Sequence, residues 1–241
     1  HLDEARKDFV ANVSHELRTP LTVISGYLGT FLSDTSKLPQ VYVKPLQQML
    51  QQAERMETLL KDLLWLSRIE SEQGIEAHAP VDIRALLAEL QDELRTAYPQ
   101  RKIELELAVD YKVTGDYREL YSAVSNLVVN AIKYSADDSV VKISWSQRDG
   151  SYYLTVSDQG IGVDASNIPR LTERFYRVED SRSASCGGGT GLGLAIVKHV
   201  AASHGARLQI ESKLGKGSSF SLVFPVQGKI ATQPRVRASV A

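Results

Sequence analysis

The sequence predicts two domains of different class: an all-α helical hairpin, then an α+β domain whose mixed sheet packs on helices. Three observations carry this. Val10, Leu17, Ile24 and Phe31 recur seven apart, with Val13 at the intervening position, which is a heptad seam on one helix. Leu46, Met49, Ala53, Met56, Leu60 and Leu63 form the apolar stripe of a second helix. Beyond residue 80 the pattern changes to short alternating strands mixed with helices. Two amphipathic helices folded on each other leave part of their stripes uncovered. A four-helix bundle shared by two chains would cover them, so a homodimer is expected.

The elements follow in order. Residues 3–33 read as one long helix, with a bend expected near Pro20, because proline removes a helical hydrogen bond. Gly26 and Gly29 weaken it further on. Residues 33–39 are a turn and residues 40–70 the second helix. After a short linker, Val81 to Tyr98 reads as helix, and Ile103, Leu105, Leu107 and Val109 as a half-buried strand. Asp116 and Glu119 suit a capping box that opens a helix running to Tyr134. Val141, Ile143 and Trp145 alternate with polar residues, and Arg148-Asp149-Gly150 turns the chain into Tyr153–Ser157. Leu194–His204 is helical and ended by Gly205, and residues 207–226 form a last hairpin. The tail from Gly228 carries no apolar period and is expected to be disordered.

Bulk properties narrow the function. The chain has 241 residues, 43% hydrophobic and 24% charged, enough for a real core. A net charge of −1 gives no support to non-specific attraction to nucleic acid or membrane. A single cysteine, Cys186, excludes an internal disulfide and fits a reducing compartment. No apolar run reaches the ~18–20 residues that span a bilayer. The chain starts within a helical pattern and is expected to continue a longer helix upstream.

Four stretches carry chemistry. In Val13-Ser14-His15-Glu16-Leu17-Arg18-Thr19-Pro20, His15 and Thr19 are four apart and share a helix face, with a carboxylate beside the imidazole. Counted from the seam, His15 falls opposite it, on the side open to solvent or a partner. It is either an ordinary surface histidine or a nucleophile and proton carrier. In Asn126-Leu127-Val128-Val129-Asn130-Ala131-Ile132-Lys133-Tyr134, two amide side chains are four apart and a lysine follows. That is either a solvated face or a hard-oxygen and phosphate site. Asp158-Gln159-Gly160-Ile161-Gly162 is a turn after a strand. Its carboxylate can accept a hydrogen bond from an exocyclic amine, and its glycines permit close approach of a flat base. Gly189-Thr190-Gly191-Leu192-Gly193 opens a helix and offers backbone N–H groups to phosphates, yet it lacks the Gly-Lys-Ser/Thr ending of a Walker loop.

The order of Asn box, Asp-Gly-Gly turn, Arg174-Phe175-Tyr176-Arg177 and glycine-rich helix start resembles the ATP-binding domain of sensor histidine kinases, within the GHKL ATPases. The His15-Glu16-x-x-Thr19 stretch resembles their phospho-acceptor box. Phe9–Tyr27 and Arg170–Val178 are most similar to the phosphate-regulon branch. The resemblance implies a dimerisation and histidine phosphotransfer hairpin over 1–72, a linker over 73–80, and a GHKL-type (Bergerat) ATP-binding sandwich over 81–227. It implies ATP and Mg2+ as cofactors and the receiver domain of a response regulator as partner. It makes the chain the cytoplasmic portion of an inner-membrane protein, whose sensor and transmembrane parts are absent from this chain. His15 would take the γ-phosphoryl, with Glu16 as general base and Thr19 serving phosphatase work. Asn130 would hold Mg2+, and Asn126, Lys133 and Tyr134 would lie near phosphate, ribose or base. Asp158 would bind adenine, with Gly160 and Gly162 shaping the pocket. Arg177 would stabilise the transferring phosphoryl, and Gly189, Thr190, Gly191, Leu192 and Gly193 would close the side of a mobile lid over 178–188. One departure from the pattern is Thr172, where the family usually has Phe. The competing readings are a GHKL ATPase without histidine transfer and a non-enzymatic or phosphatase-only dimer.

Overall fold

A computed structural model of the chain describes residues 2–71, 79–178 and 189–226, and within them all side chains except those of residues 2–12, 14, 15, 37, 70 and 71. The expected lid with Cys186, most of the linker and the tail from residue 228 lie outside the described residues.

Helices α1 (Leu2–Leu32) and α2 (Gln40–Ser71) fold back on each other. The turn between them is one 3-10 turn, Thr35–Lys37, capped by the Asp34 carboxylate, which accepts from the Ser36 N–H at 3.3 Å. Pro20, Gly26 and Gly29 all lie inside α1, and the helix continues through them. The apolar residues of α1 divide between two faces. Leu21 and Leu28 are buried, as is Ala53 on α2. The seam itself, Leu17, Ile24 and Phe31, stays 46%, 46% and 53% exposed. The heptad therefore points away from the hairpin's own interior.

The rest of the chain builds a two-layer α+β unit. Strand β1 (Ala79–Asp82) pairs antiparallel with β3 (Lys112–Gly115) as a small separate sheet. The main sheet has the order β2 (Lys102–Leu107), β4 (Val140–Arg148), β5 (Ser151–Ser157), β7 (Gly217–Pro225), β6 (Arg207–Lys213). β2 and β4 run parallel, and the other neighbours antiparallel. Helices α3 (Ile83–Ala97), α4 (Tyr117–Tyr134) and α5 (Gly193–Ser203) pack on one face. There Trp145, Ile143, Leu154 and Leu222 meet Leu86, Leu90, Leu127 and Ile196, all fully buried. The sheet's other face carries hydroxyl pairs, Thr155 with Ser221 at 2.8 Å and Ser157 with Ser219 at 2.9 Å.

Two local expectations change. Ala79–Asp82, read as linker end and helix start, is strand β1, and Asp82 then caps α3 by accepting from the Ala85 N–H at 3.1 Å. The capping box at Asp116 is half formed. Asp116 Oδ1 accepts from the N–H groups of Arg118 and Glu119, but its own N–H donates to His204 Nε2 at 3.0 Å. Glu119 turns to Ser203 instead, accepting from its hydroxyl at 3.2 Å. The α4 start is thereby tied to the α5 end.

The two parts meet along the last turns of α2. Leu66 and Ile69 are buried in the same cluster as the sheet–helix core, with Leu59, Leu63 and Trp65 packed against it. His199 Nε2 on α5 lies 3.0 Å from the Ile69 carbonyl.

Candidate functional site

Helix α4 carries Asn126, Asn130, Lys133 and Tyr134 on successive turns, all with partly exposed side chains. Its buried face, Leu120, Ala123, Val124, Leu127, Val128 and Ala131, fixes its rotation against the core. Asn126 Nδ2 donates to the Ser122 carbonyl at 2.9 Å, which aims its Oδ1 toward α5. A Cβ at Gly193 would stand 2.6 Å from that Oδ1, so glycine here lets the start of α5 approach the Asn box.

The end of α4 is held from two directions. The Arg101 guanidinium donates to the carbonyls of Ile132, Ser135 and Ala136, the Ser135 contact measuring 2.9 Å, and pairs with Asp137 at 3.5 Å. The Tyr134 carbonyl accepts from the Ile161 N–H at 3.1 Å. A Cβ at Gly160 would collide with that same carbonyl at 2.1 Å. Asp158 thus sits in a turn pressed against the end of α4, its Oδ1 accepting from the Gly160 N–H at 2.8 Å. Burial pushes its carboxyl above the ordinary value, while backbone N–H donors of Gly160 and Ser218 pull it back. A half-desolvated carboxylate of this kind has acceptor capacity left for an incoming donor. Gly162 closes the turn at φ 64°.

The glycine-rich segment completes the rim. Gly189 lies beside Tyr134, whose hydroxyl is 3.9 Å from where its Cβ would stand. Gly191 adopts φ 75° against Phe175, itself at φ 63°, and the Phe175 N–H donates to the Gly191 carbonyl at 2.9 Å. That bond brings the two flanks of the expected lid together. Thr190 Oγ1 accepts from the Leu192 N–H at 3.2 Å and donates to Asp62 Oδ2 on α2 at 2.7 Å. Leu192 is fully buried beneath the start of α5. Arg177 and Thr172 are half-buried, and Arg170 stacks over Tyr176 at 4.1 Å while Tyr176 donates to Asn167 Oδ1 at 2.8 Å.

The structure therefore brings Asn126, Tyr134, Asp158, Gly160, Gly189 and Gly193 together where α4 meets the 158–162 turn and the start of α5, with Thr190 and Gly191 next in the chain. His15, Glu16 and Thr19 lie on α1, with Glu16 and Thr19 exposed. Sequence reading missed Arg101 and Asp62. Arg101 sits in a turn, where its targets are more than 30 residues away in the chain, and Asp62 is one of several charges on a polar helix flank.

Comparison with known proteins gives the family. Residues 5–72 match HisKA, the His Kinase A (phospho-acceptor) domain, and residues 115–228 match HATPase_c, the histidine kinase-, DNA gyrase B- and HSP90-like ATPase. The chain belongs to the sensor histidine kinases. It is 51% identical over 225 residues to the phosphate regulon sensor protein PhoR of Pseudomonas aeruginosa, an alignment covering 92% of this chain and 51% of that protein. Among solved structures, full-length ShkA in complex with AMPPNP superposes with a TM-score of 0.67 at 26% identity, covering 90% of this chain and 45% of that one. A mycobacterial sensor histidine kinase, MprB, is 30% identical with a TM-score of 0.54, over 61% of this chain and 97% of that one. The chain spans about half the length of the curated relatives it matches. Among the described residues no helix is long and apolar enough to cross a membrane.

Proposed function

We propose that this chain is the phosphoryl-transferring portion of a dimeric sensor histidine kinase. The observation that carries the reading is the meeting of Asn126, Tyr134, Asp158 and the glycine-rich turn at one end of α4, in a chain whose α1 bears His15-Glu16-x-x-Thr19. Asp158 accepts the exocyclic amine of adenine, and Gly160 and Gly162 leave room for the base. Lys133 and the N–H groups at the start of α5 face the phosphates. No three His, Cys, Asp or Glu side chains gather as a cage among the described residues. Mg2+ does not need one, since it keeps several waters and is held by few oxygens plus substrate phosphates. The Asn130 side-chain oxygen would hold the ion, which would neutralise charge on the phosphates.

His15 attacks the γ-phosphorus with a ring nitrogen, forming a P–N bond as the bond to the ADP oxygen breaks. Glu16 holds the imidazole and takes its proton. Arg177 meets the charge spread over the transferring group. An aspartate of a response-regulator receiver domain then takes the phosphoryl from His15. Thr19, one turn on, positions water for the reverse task of removing it from the regulator. A second copy of the chain covers Leu17, Ile24 and Phe31. The similarity to a phosphate regulon sensor protein supports phosphate limitation as the signal, received by a part of the protein anchored in the membrane.

Incubation with γ-labelled ATP and Mg2+ tests this. Acid-labile, base-stable label on the protein, lost in His15→Gln, is the expected result; ATP hydrolysis with no labelled protein would refute it. Dimers mixed from His15→Gln and Asn130→Asp chains read the route. Label in the mixture alone shows transfer between subunits. Within the same assay, Glu16→Gln should impair autophosphorylation most and Thr19→Ala regulator dephosphorylation most. Equal loss of both activities in either variant would end that division.

A further inference from the structure

The contact between α2 and the glycine-rich turn has a chemistry that packing alone does not require. Thr190 Oγ1 donates to Asp62 Oδ2 at 2.7 Å and accepts from the Leu192 N–H. A threonine hydroxyl has one proton to give. While α2 is docked that proton goes to Asp62, and none is left for an anion arriving at the turn. Burial pushes the Asp62 carboxyl up, and the Thr190 hydroxyl and the Lys133 ammonium act the other way. Lys133, expected at the nucleotide phosphates, thus already acts on a carboxylate from another helix. Beside this bond, α2 packs on the sheet domain through Leu63, Leu66 and Ile69, and the Ile69 carbonyl lies 3.0 Å from His199 Nε2.

Register says where this contact falls on the hairpin. Ser25 on α1 donates to Glu57 on α2 at 3.3 Å. Asp62 is five residues further along α2, and Pro20 five residues back along α1, so Asp62 stands level with Pro20, at the end of the phospho-acceptor box. The glycine-rich turn is therefore held at the height of the phospho-acceptor box, but on α2 instead of α1.

We propose that Asp62 and Thr190 form an autoinhibitory latch, in which the Asp62 carboxylate occupies the place of a nucleotide phosphate at the glycine-rich turn, so that nucleotide binding and release of α2 oppose each other. The proposal rests on the reading of this end of α4 as the ATP site. With the latch closed, the triphosphate meets a like charge and a hydroxyl already committed. With nucleotide bound, Lys133 and Thr190 turn to the phosphates, and Asp62 keeps only the cost of its burial. The ATP-binding unit then leaves α2 and becomes free to reach His15.

Trp65 gives a direct readout, because it packs at this contact with its indole N–H buried and without a partner. The full chain is titrated with the non-hydrolysable analogue AMPPNP and Mg2+, following both nucleotide affinity and tryptophan emission, with Trp65→Phe identifying the signal. Asp62→Ala should bind about tenfold more tightly than the unaltered chain, the factor expected for one charge-assisted hydrogen bond. Its Trp65 emission should start where the unaltered chain arrives only on adding nucleotide. Asp62→Asn, which keeps an acceptor and loses the charge, should fall between. Affinity changed by less than about twofold in a folded Asp62→Ala, or weakened, overturns the latch while leaving the nucleotide site standing. If Asp62→Ala does not fold, the same criterion applied to Asp62→Asn decides. If the unaltered chain binds no AMPPNP, the nucleotide site itself fails and the latch with it.

Discussion

The hairpin and the sheet domain spend their apolar residues in opposite ways. In the sheet domain, the large side chains between sheet and helices are closed within one chain, with Trp145, Leu127, Ile143 and Leu222 all fully buried. In the hairpin, Leu21 and Leu28 are closed against α2 while Leu17, Ile24, Phe31, Met49 and Met56 remain open. The first is a finished core. The second is half of one, and its stability belongs to a complex and varies with concentration. Buried area within one chain thus separates what the chain completes alone from what it completes with a second copy.

That contrast can be broken or sharpened by substitution. The largest effect is expected from Leu17→Asp with Ile24→Asp. Charges placed in a dry seam should raise the dimer dissociation constant by on the order of a thousandfold or more, seen by analytical ultracentrifugation. The calorimetric transition of the sheet domain should stay in place. If that transition moves with the dimer, the sheet domain depends on the seam for its stability. Next, Leu127→Ala should cost about 3 kcal/mol in the sheet domain. It should leave dimerisation unchanged, and a loss of dimer with it would contradict the division.

The smallest effect concerns pH. Burial raises the Asp158 carboxyl, so the folded chain holds that proton more tightly than the unfolded chain. The stability it contributes is full below the ordinary aspartate value and is lost as pH rises through the raised one. Asp158→Asn has no such loss. Its melting temperature relative to the unaltered chain should climb as pH rises through the ordinary aspartate value and level off above the raised one. A difference independent of pH would mean that Asp158 is not desolvated in the folded chain.

What could be read beforehand follows physical range. The seam at Leu17, Ile24 and Phe31 was legible because periodicity is local. Its division from Leu21 and Leu28 was not, since that depends on where α2 lies. Gly160, Gly162, Gly191 and Gly193 were legible because backbone crowding or positive φ leaves few alternatives, and the structure shows one or the other at each. Asp116 was legible as a cap, but not its bond to His204, 88 residues away. Strand β1 was missed because four residues including a proline show no alternation. Arg101 and Asp62 act across the fold, and nothing in their sequence neighbours announces it.

Helix α2 is loaded on two sides. Ala53 faces α1, and Leu66, 13 residues on, faces the sheet domain. At 100° per residue these positions point about 140° apart around the axis. α2 is in this sense a shaft bearing on both parts at once. Turning it by one residue's angle would unseat Ala53 and Leu66 together, so torque applied at the far end of the hairpin would reach the glycine-rich turn along the helix.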